Sequence, residues 1–189
     1  VMMVDSTENP DIPPFGHTID YLCFGGIYRD VNLYLAQELW IENVLVRYDL
    51  NGNEAVLYPE IQADNAGAPF AEVTVELRDQ AGGLVKHYTQ TVSFAAGHSS
   101  AVMEKVSAGT ITRWDMEEPC LYTVLVTVKK DASTQDTKTV RVGFRTVECR
   151  ADGFFLNGKK HKLMGLNRHQ SYPYIGYAAP ARVQKKDAD

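Results

Sequence analysis

The sequence predicts an all-β fold, a two-sheet antiparallel β-sandwich with partial segments on either side. Two observations carry this prediction. Runs of residues between positions 35 and 146 alternate apolar and polar side chains with a period of two, which is typical of strands with one buried and one exposed face. Turn-forming residues separate these runs at short intervals, which is typical of a sandwich of about seven strands.

The alternating runs identify the predicted strands. They are Val44 to Leu50, Val73 to Leu77, Tyr122 to Val128 and Val140 to Phe144. The turn signals between and beside them are Asn51-Gly52-Asn53, Asn65-Ala66-Gly67, Gly82-Gly83, Ala95-Ala96-Gly97 and Lys130-Asp131. No helical periodicity of comparable length is present. The middle of the chain is therefore predicted to be entirely β.

A short hairpin is predicted directly after the sandwich. Val147 to Cys149 is followed by Phe154 to Leu156, and then by Asn157-Gly158, the strongest two-residue hairpin signal. Beyond Asn167 the chain looks irregular, and its polar end is expected to fray. Residues 1–34 are rich in proline and glycine and alternate too little to close a domain. The opening residues have no signal-peptide pattern, and we expect this chain to be a piece of a longer protein.

Composition narrows the class of protein. The 189 residues are 44% hydrophobic and 23% charged, as in soluble globular proteins. The net charge of −5 is spread without long blocks, which favours neither nucleic acid nor a membrane surface as a partner. The three cysteines, Cys23, Cys120 and Cys149, fit no metal-binding spacing. They indicate reduced thiols in a cytoplasmic protein, with a single disulfide left open.

Four segments, in this order, resemble glycoside hydrolase family 2. They are Gly25-Gly26-Ile27-Tyr28-Arg29-Asp30-Val31, the stretch from Trp114 through Pro119 to Tyr122, Val142-Gly143-Phe144-Arg145, and Gly165-Leu166-Asn167-Arg168-His169. The resemblance implies three parts. Residues 1–35 would end a sugar-binding jelly-roll domain, residues 36–146 would form an immunoglobulin-like β-sandwich, and residues 147–189 would start a (β/α)8 catalytic barrel.

The resemblance also implies an activity. Pro173 and Gly176 after His169 are similar to the β-galactosidases of the family, although Gln170 stands where many relatives have Glu. The longer enzyme would release terminal β-D-galactose from β-galactosides by a retaining mechanism, with the sandwich as a brace between domains. A β-glucuronidase or β-mannosidase of the same family, or a freestanding carbohydrate-binding module, are the alternatives. The resemblance implies a homo-oligomer and, in the full-length enzyme, magnesium and sodium, with no cofactor in this segment.

The resemblance suggests four substrate-binding residues. His169 would bind the sugar near its anomeric centre, where an imidazole can donate to a developing charge. Arg168 would order the pocket floor or form a structural ion pair, and Asn167 would bond locally at a strand end. Asp20 would bind a sugar hydroxyl and a sodium ion, with an ordinary turn residue as the alternative.

Other conspicuous side chains have structural interpretations. Arg29 and Asp30 are expected to form a salt bridge at a domain junction. Trp114 and Tyr122 are expected to pack in the core or at the corner of a loop rather than stack on sugar. The family's two catalytic Glu residues lie on later barrel strands, so no catalytic residue is predicted here. We therefore expect this segment alone to be inactive.

Overall fold

The computed structural model describes residues 2–5, 7, 9–11, 25–67 and 70–189. The chain divides into two units, Leu35–Leu163 and a second one made of Val1–Tyr34 with Met164–Asp189. Of the described residues, the first unit contains all the strands, and the second contains a single helix together with the Asn-Arg-His segment.

The strands of the larger unit are antiparallel throughout. In chain order they are β1 (Leu39–Leu45), β2 (Tyr48–Asn51), β3 (Glu54–Leu57), β4 (Glu60–Asn65), β5 (Phe70–Arg78), β6 (Leu84–Ser93), β7 (Gly97–Val102), β8 (Val106–Thr110), β9 (Tyr122–Lys130), β10 (Ser133–Val142), β11 (Val147–Arg150), β12 (Gly153–Leu156) and β13 (Lys159–His161). One sheet has the order β10-β9-β5-β6. Two three-stranded sheets, β1-β4-β7 and β2-β3-β8, cover the other side of the core, and β11-β12-β13 form a small separate sheet.

The two three-stranded sheets are halves of one bent sheet. Breaks of two or three residues separate β1 from β2, β3 from β4 and β7 from β8. Backbone pairing continues across the breaks, because Tyr58 N–H donates to the Arg47 carbonyl and Met103 N–H donates to the Pro59 carbonyl, both at 2.9 Å. Three bent strands therefore face four straight ones. This arrangement confirms the predicted seven-stranded, two-sheet sandwich.

The core consists of the inward-facing residues that the alternation predicts. Val73, Val75 and Leu77 on β5 are fully buried, as are the three valines at positions 124, 126 and 128 of the neighbouring β9. Burying such aliphatic side chains stabilises the fold by about 1.5–3 kcal/mol each. Strand β4 also points a polar residue inward, since Asn65 is only 2% exposed. Its amide nitrogen donates to the Phe94 carbonyl at 3.2 Å, which satisfies a group that would otherwise be costly to bury.

Aromatic residues close one end of the sandwich. The ring of Phe144 makes edge contacts with Tyr48 and Tyr122, at centroid distances of 4.9 and 5.2 Å. The Tyr122 hydroxyl oxygen accepts a hydrogen bond from the Thr112 amide at 2.9 Å. Trp114 packs flat on the backbone of Gly143, where a methyl group would come within 2.7 Å of its side chain. Both Trp114 and Tyr122 therefore have the structural roles predicted for them.

The small sheet β11-β12-β13 attaches to this end of the sandwich through Asn157. Asn157 and Gly158 have φ values of 50° and 79°, as the predicted Asn-Gly hairpin requires. The Asn157 side chain donates to the Trp114 carbonyl at 3.0 Å and accepts from the Thr146 amide at 3.1 Å. The small sheet thus belongs to the same unit as the sandwich, and the predicted domain boundaries at residues 35 and 146 stay predictions.

The second unit ends in a helix that the sequence did not predict. Helix α1 spans Ala181–Ala188 after Pro180, and Lys185 and Lys186 lie in its last turn, where the helix dipole favours positive charge. The chain end is therefore helical rather than irregular. In the described part of the chain, no helix combines the length and the apolar character needed to cross a membrane. Cys120 and Cys149 are free thiols, and Cys23 lies outside the described residues.

Candidate functional site

A cavity in the second unit brings the Asn-Arg-His segment together with the glycine-rich signature. It has a volume of about 350 Å3. Its walls are formed by Tyr28, Arg29, Arg168, His169, Gln170 and Tyr177. Two of the four predicted site residues, Arg168 and His169, therefore share one cavity. Asn167 is exposed and is not among the lining residues, and Asp20 lies outside the described residues.

The wall that carries Tyr177 follows a tight turn. The amide of Tyr172 donates to the Gly176 carbonyl at 3.0 Å, and the amide of Gly176 donates back to the Tyr172 carbonyl at 2.9 Å. Tyr174 and Gly176 have φ values of 69° and 52°, a left-handed conformation that costs little for glycine and more for tyrosine. The turn reverses the chain directly after Pro173 and returns Tyr177 to the cavity.

Arg29 joins the signature segment to this turn. Its Nη1 donates to the carbonyl of Tyr177, and its guanidinium carbon lies 5.2 Å from the ring centre of Tyr28. The rings of Tyr28 and Tyr177 are themselves 6.1 Å apart. Among the described residues Arg29 forms no ion pair, and the salt bridge expected for Arg29 and Asp30 stays a prediction.

Arg168 is held by helix α1. Its Nε forms an ion pair with the Asp187 carboxylate, and the two side chains are 38% and 41% exposed. This is the structural ion pair that the sequence offered as the alternative to substrate contact, but at a half-exposed position. The pair fixes the guanidinium beside His169 and leaves the remaining N–H groups of Arg168 able to donate.

The cavity suits binding better than bond cleavage. Its lining combines guanidinium, imidazole and amide donors with two aromatic rings, the groups that recognise hydroxyl-rich ligands. None of the described residues that line it carries a carboxyl group, so neither acid of a retaining glycosidase is among them. The described residues also contain no group of three His, Cys, Asp or Glu side chains that could hold a metal ion. Asp20 as a sodium ligand stays a prediction.

A second cluster of titratable groups lies on the sandwich surface. The Asp49 carboxylate accepts from Lys105 Nζ at 2.5 Å and from the Tyr58 hydroxyl at 2.8 Å, and Lys105 lies 4.6 Å from the centre of the Tyr58 ring. The bond from Lys105, followed by that from Tyr58, lowers the pKa of Asp49. The bond to Asp49 raises the pKa of Lys105. These groups join β2 to the break between β3 and β4 and to the break between β7 and β8, beside the bend of the sheet.

Sequence reasoning missed four of the cavity's six residues. Tyr28 and Arg29 were seen only as signature residues, and Gln170 only as a departure from the resemblance. Tyr177 carries no motif at all. Its contact with Arg29 spans 148 positions of sequence, and no local pattern reports a contact of that kind.

Comparison with known proteins places this geometry in context. Residues 39–145 match the family described as glycosyl hydrolases family 2. The β-galactosidase of Thermoanaerobacterium thermosulfurigenes is 40% identical over the whole chain, which corresponds to 26% of that protein. The β-galactosidase of Rhizobium meliloti is 36% identical over 92% of the chain and 23% of its own length.

Solved structures share the fold. The β-glucuronidase of Parabacteroides merdae superimposes with a TM-score of 0.81 at 28% identity, over 97% of this chain and 23% of its own. The chain thus spans about a quarter of the length of the proteins it matches. The family match covers more than half of this chain, and the relatives match nearly all of it, including the Asn-Arg-His segment. The chain therefore belongs to glycosyl hydrolases family 2.

Proposed function

We propose that this chain is a section of a longer β-galactosidase that releases terminal β-D-galactose from β-galactosides by a retaining mechanism. The cavity that unites Arg168 and His169 with the glycine-rich signature is the observation that carries the proposal. It offers donors and aromatic surface for a sugar. The β-galactosidases that are 36–40% identical to the chain support the choice of sugar.

In this proposal the section binds the sugar and supports the neighbouring domains, and it does not supply the groups that cleave the glycosidic bond. His169 would donate to a sugar oxygen as positive charge develops at the anomeric carbon, and Arg168 would order the floor of the site from its ion pair with Asp187. The sandwich would act as a rigid support. The acid/base and nucleophilic carboxylates, about 5–5.5 Å apart in a retaining enzyme, would come from parts of the protein outside this chain.

A β-glucuronidase is the second candidate. The solved structures with TM-scores of 0.79–0.81 and at least 27% identity are β-glucuronidases, which favours this sugar. The relatives of higher identity are β-galactosidases, which favours the first candidate. The two sugars differ at C5, where glucuronic acid carries a carboxylate in place of the hydroxymethyl group, and in the configuration of the hydroxyl at C4. A substrate panel separates them directly.

The test uses the full-length gene product with chromogenic β-galactoside, β-glucuronide and β-mannoside. We expect the galactoside to be hydrolysed with the highest kcat/KM, and the isolated 189-residue chain to hydrolyse none. Replacing His169 by alanine should lower kcat/KM about a hundredfold, the order of effect expected for a lost transition-state donor.

His98→Ala is the matched control. His98 pairs with Glu42 on the sandwich surface at 2.6 Å and is 64% exposed, so its loss should leave kcat/KM unchanged. Preference for the glucuronide would replace the first candidate by the second. Equal activity of the His169 and His98 variants would show that His169 does not act in the site. Turnover by the isolated chain would contradict the proposal that the catalytic carboxylates lie outside it.

A further inference from the structure

Arg29 contacts two aromatic residues from segments far apart in sequence. Its guanidinium donates to the Tyr177 carbonyl and lies over the Tyr28 ring at 5.2 Å. A planar cation can do both at once, because its N–H groups lie in the plane and its face stacks on the ring. Arg29 therefore joins the two walls of the cavity by a hydrogen bond, beside the ring pair of Tyr28 and Tyr177.

The cavity wall that carries Tyr177 follows a turn with few stabilising contacts of its own. The turn from Tyr172 to Gly176 closes through three backbone hydrogen bonds, of which that from the Ile175 amide is the longest at 3.3 Å. Tyr174 is fully exposed and holds a left-handed backbone conformation, which is unfavourable for a residue with a side chain. Ile175 and Tyr172 are also more than 40% exposed. A turn with an unfavourable backbone and no buried side chain needs an outside contact to stay in one conformation.

Arg168, by contrast, is anchored from its own segment. Its ion pair runs to Asp187 in helix α1, 19 residues along the chain. It can stay ordered whatever happens to the signature segment. The two cavity arginines therefore have different roles. The ion pair of Arg168 holds the Arg168 side chain in place, whereas the hydrogen bond of Arg29 holds the wall that carries Tyr177.

We propose that Arg29 is a positioning residue of the sugar site, which holds the Tyr177 carbonyl and thereby keeps the wall after His169 in its binding geometry. The proposal deepens the proposed function and rests on it. Arg29 acts through Tyr177 and the turn and takes no part in bond cleavage. A lysine could donate to the carbonyl but could not stack its charge as a plane, so Arg29→Lys should rescue only in part.

The first measurement is hydrogen exchange in the 189-residue chain. The amides of Gly176 and Ala178 each donate within this segment at 2.9 Å and report on its order. Arg29→Gln should speed their exchange about tenfold, as expected for the loss of one charge-assisted bond. Arg113→Gln is the matched control, because Arg113 Nε likewise donates to a backbone carbonyl, that of Gly52 at 3.1 Å, but within the sandwich. It should leave both amides unchanged.

The second measurement is the kinetics of the full-length gene product. Arg29→Gln should raise KM for the β-galactoside about tenfold with kcat nearly unchanged, Arg29→Lys should fall between, and Arg113→Gln should match the wild type. Unchanged exchange in Arg29→Gln would overturn the proposal outright. Faster exchange with an unchanged KM would also overturn it, because Arg29 would then be structural only. A wild-type protein without glycosidase activity would refute the proposed function, and with it a role for Arg29 in sugar binding, while exchange would still decide whether Arg29 holds the turn.

Discussion

Replacing Asn157 by glycine tests how the small sheet β11-β12-β13 is joined to the sandwich. The Asn157 side chain donates to the Trp114 carbonyl and accepts from the Thr146 amide, at 3.0 and 3.1 Å. Glycine removes both bonds and still adopts the φ of 50° that this turn position requires. The substitution therefore isolates the contribution of the two side-chain hydrogen bonds.

The magnitude follows from those bonds. Each contributes a net of about 0.5–1.5 kcal/mol, so the Asn157→Gly variant should hold the small sheet less firmly by about 2 kcal/mol. That corresponds to an opening equilibrium about thirty times larger. Asn157→Ala loses the same bonds and adds about 1–2 kcal/mol for a side chain in the left-handed conformation. The Asn157→Ala variant should therefore hold the small sheet less firmly by about 3–4 kcal/mol.

Hydrogen exchange and urea unfolding provide the assay. In Asn157→Gly, amides of β12 and β13 should exchange about ten to a hundred times faster, while those of β5 and β9 should keep their protection. The alanine variant should be faster again. Equal exchange in the wild type and the glycine variant would show that packing of Phe155 and Leu156 alone holds the sheet. An alanine variant no worse than glycine would contradict the backbone argument.

For three further substitutions, the structure predicts the direction of the change in stability. Ala132 follows Asp131 in a turn where both have positive φ, 62° and 48°, so Ala132→Gly should raise the free energy of unfolding by about 1 kcal/mol in urea titrations. The Tyr88 hydroxyl is buried and has no hydrogen-bond partner among the described residues, and burial raises the pKa of this phenol. Tyr88→Phe should therefore stabilise the fold by about 1 kcal/mol, and a loss of similar size would reveal a bonded hydroxyl. Because the pKa of Asp49 is lowered, chiefly by its bond from Lys105, its stabilisation is present above the ordinary pKa of about 3.9 and is lost as pH falls through the folded-state value. Asp49→Asn should accordingly destabilise the protein near neutral pH, and thermal unfolding of the two proteins should converge towards about pH 2.

The sandwich could be predicted from sequence where strands expose one clear apolar face. The valines of β5 and β9 are such cases, since Val73, Val75, Val124, Val126 and Val128 are fully buried and most residues that alternate with them are polar. Strand β4 was not predicted from the alternation, because its inward-facing residues after Ile61 are Ala63 and Asn65, a small and a polar side chain. The Phe94 carbonyl, 29 residues away, accepts a hydrogen bond from the buried Asn65 side chain.

The site was predictable in its motif and not in its surroundings. The Asn-Arg-His segment marked Arg168 and His169, and the cavity contains both. Helix α1 was missed because none of its residues is buried, so it has no apolar face for periodicity to reveal. Its role as the partner of Arg168 depends on Asp187, an unremarkable charge near the chain end. Contacts of this kind are set by how segments pack together.

The irregularities of β1 and β10 have a consequence for solubility. Both strands lie at the edges of their sheets, and each shifts its register once, near Ile41 and near Asp136. At these positions the Asp136 carboxylate accepts from the Ile41 amide at 2.8 Å, and Lys138 Nζ donates to the Glu42 carbonyl at 3.3 Å. Backbone groups that could recruit a strand from another molecule are thus capped by charged side chains of the neighbouring strand. On that side the sandwich resists edge-to-edge aggregation without a covering helix, and a neutral residue at position 136 would endanger solubility in concentrated solution more than folding.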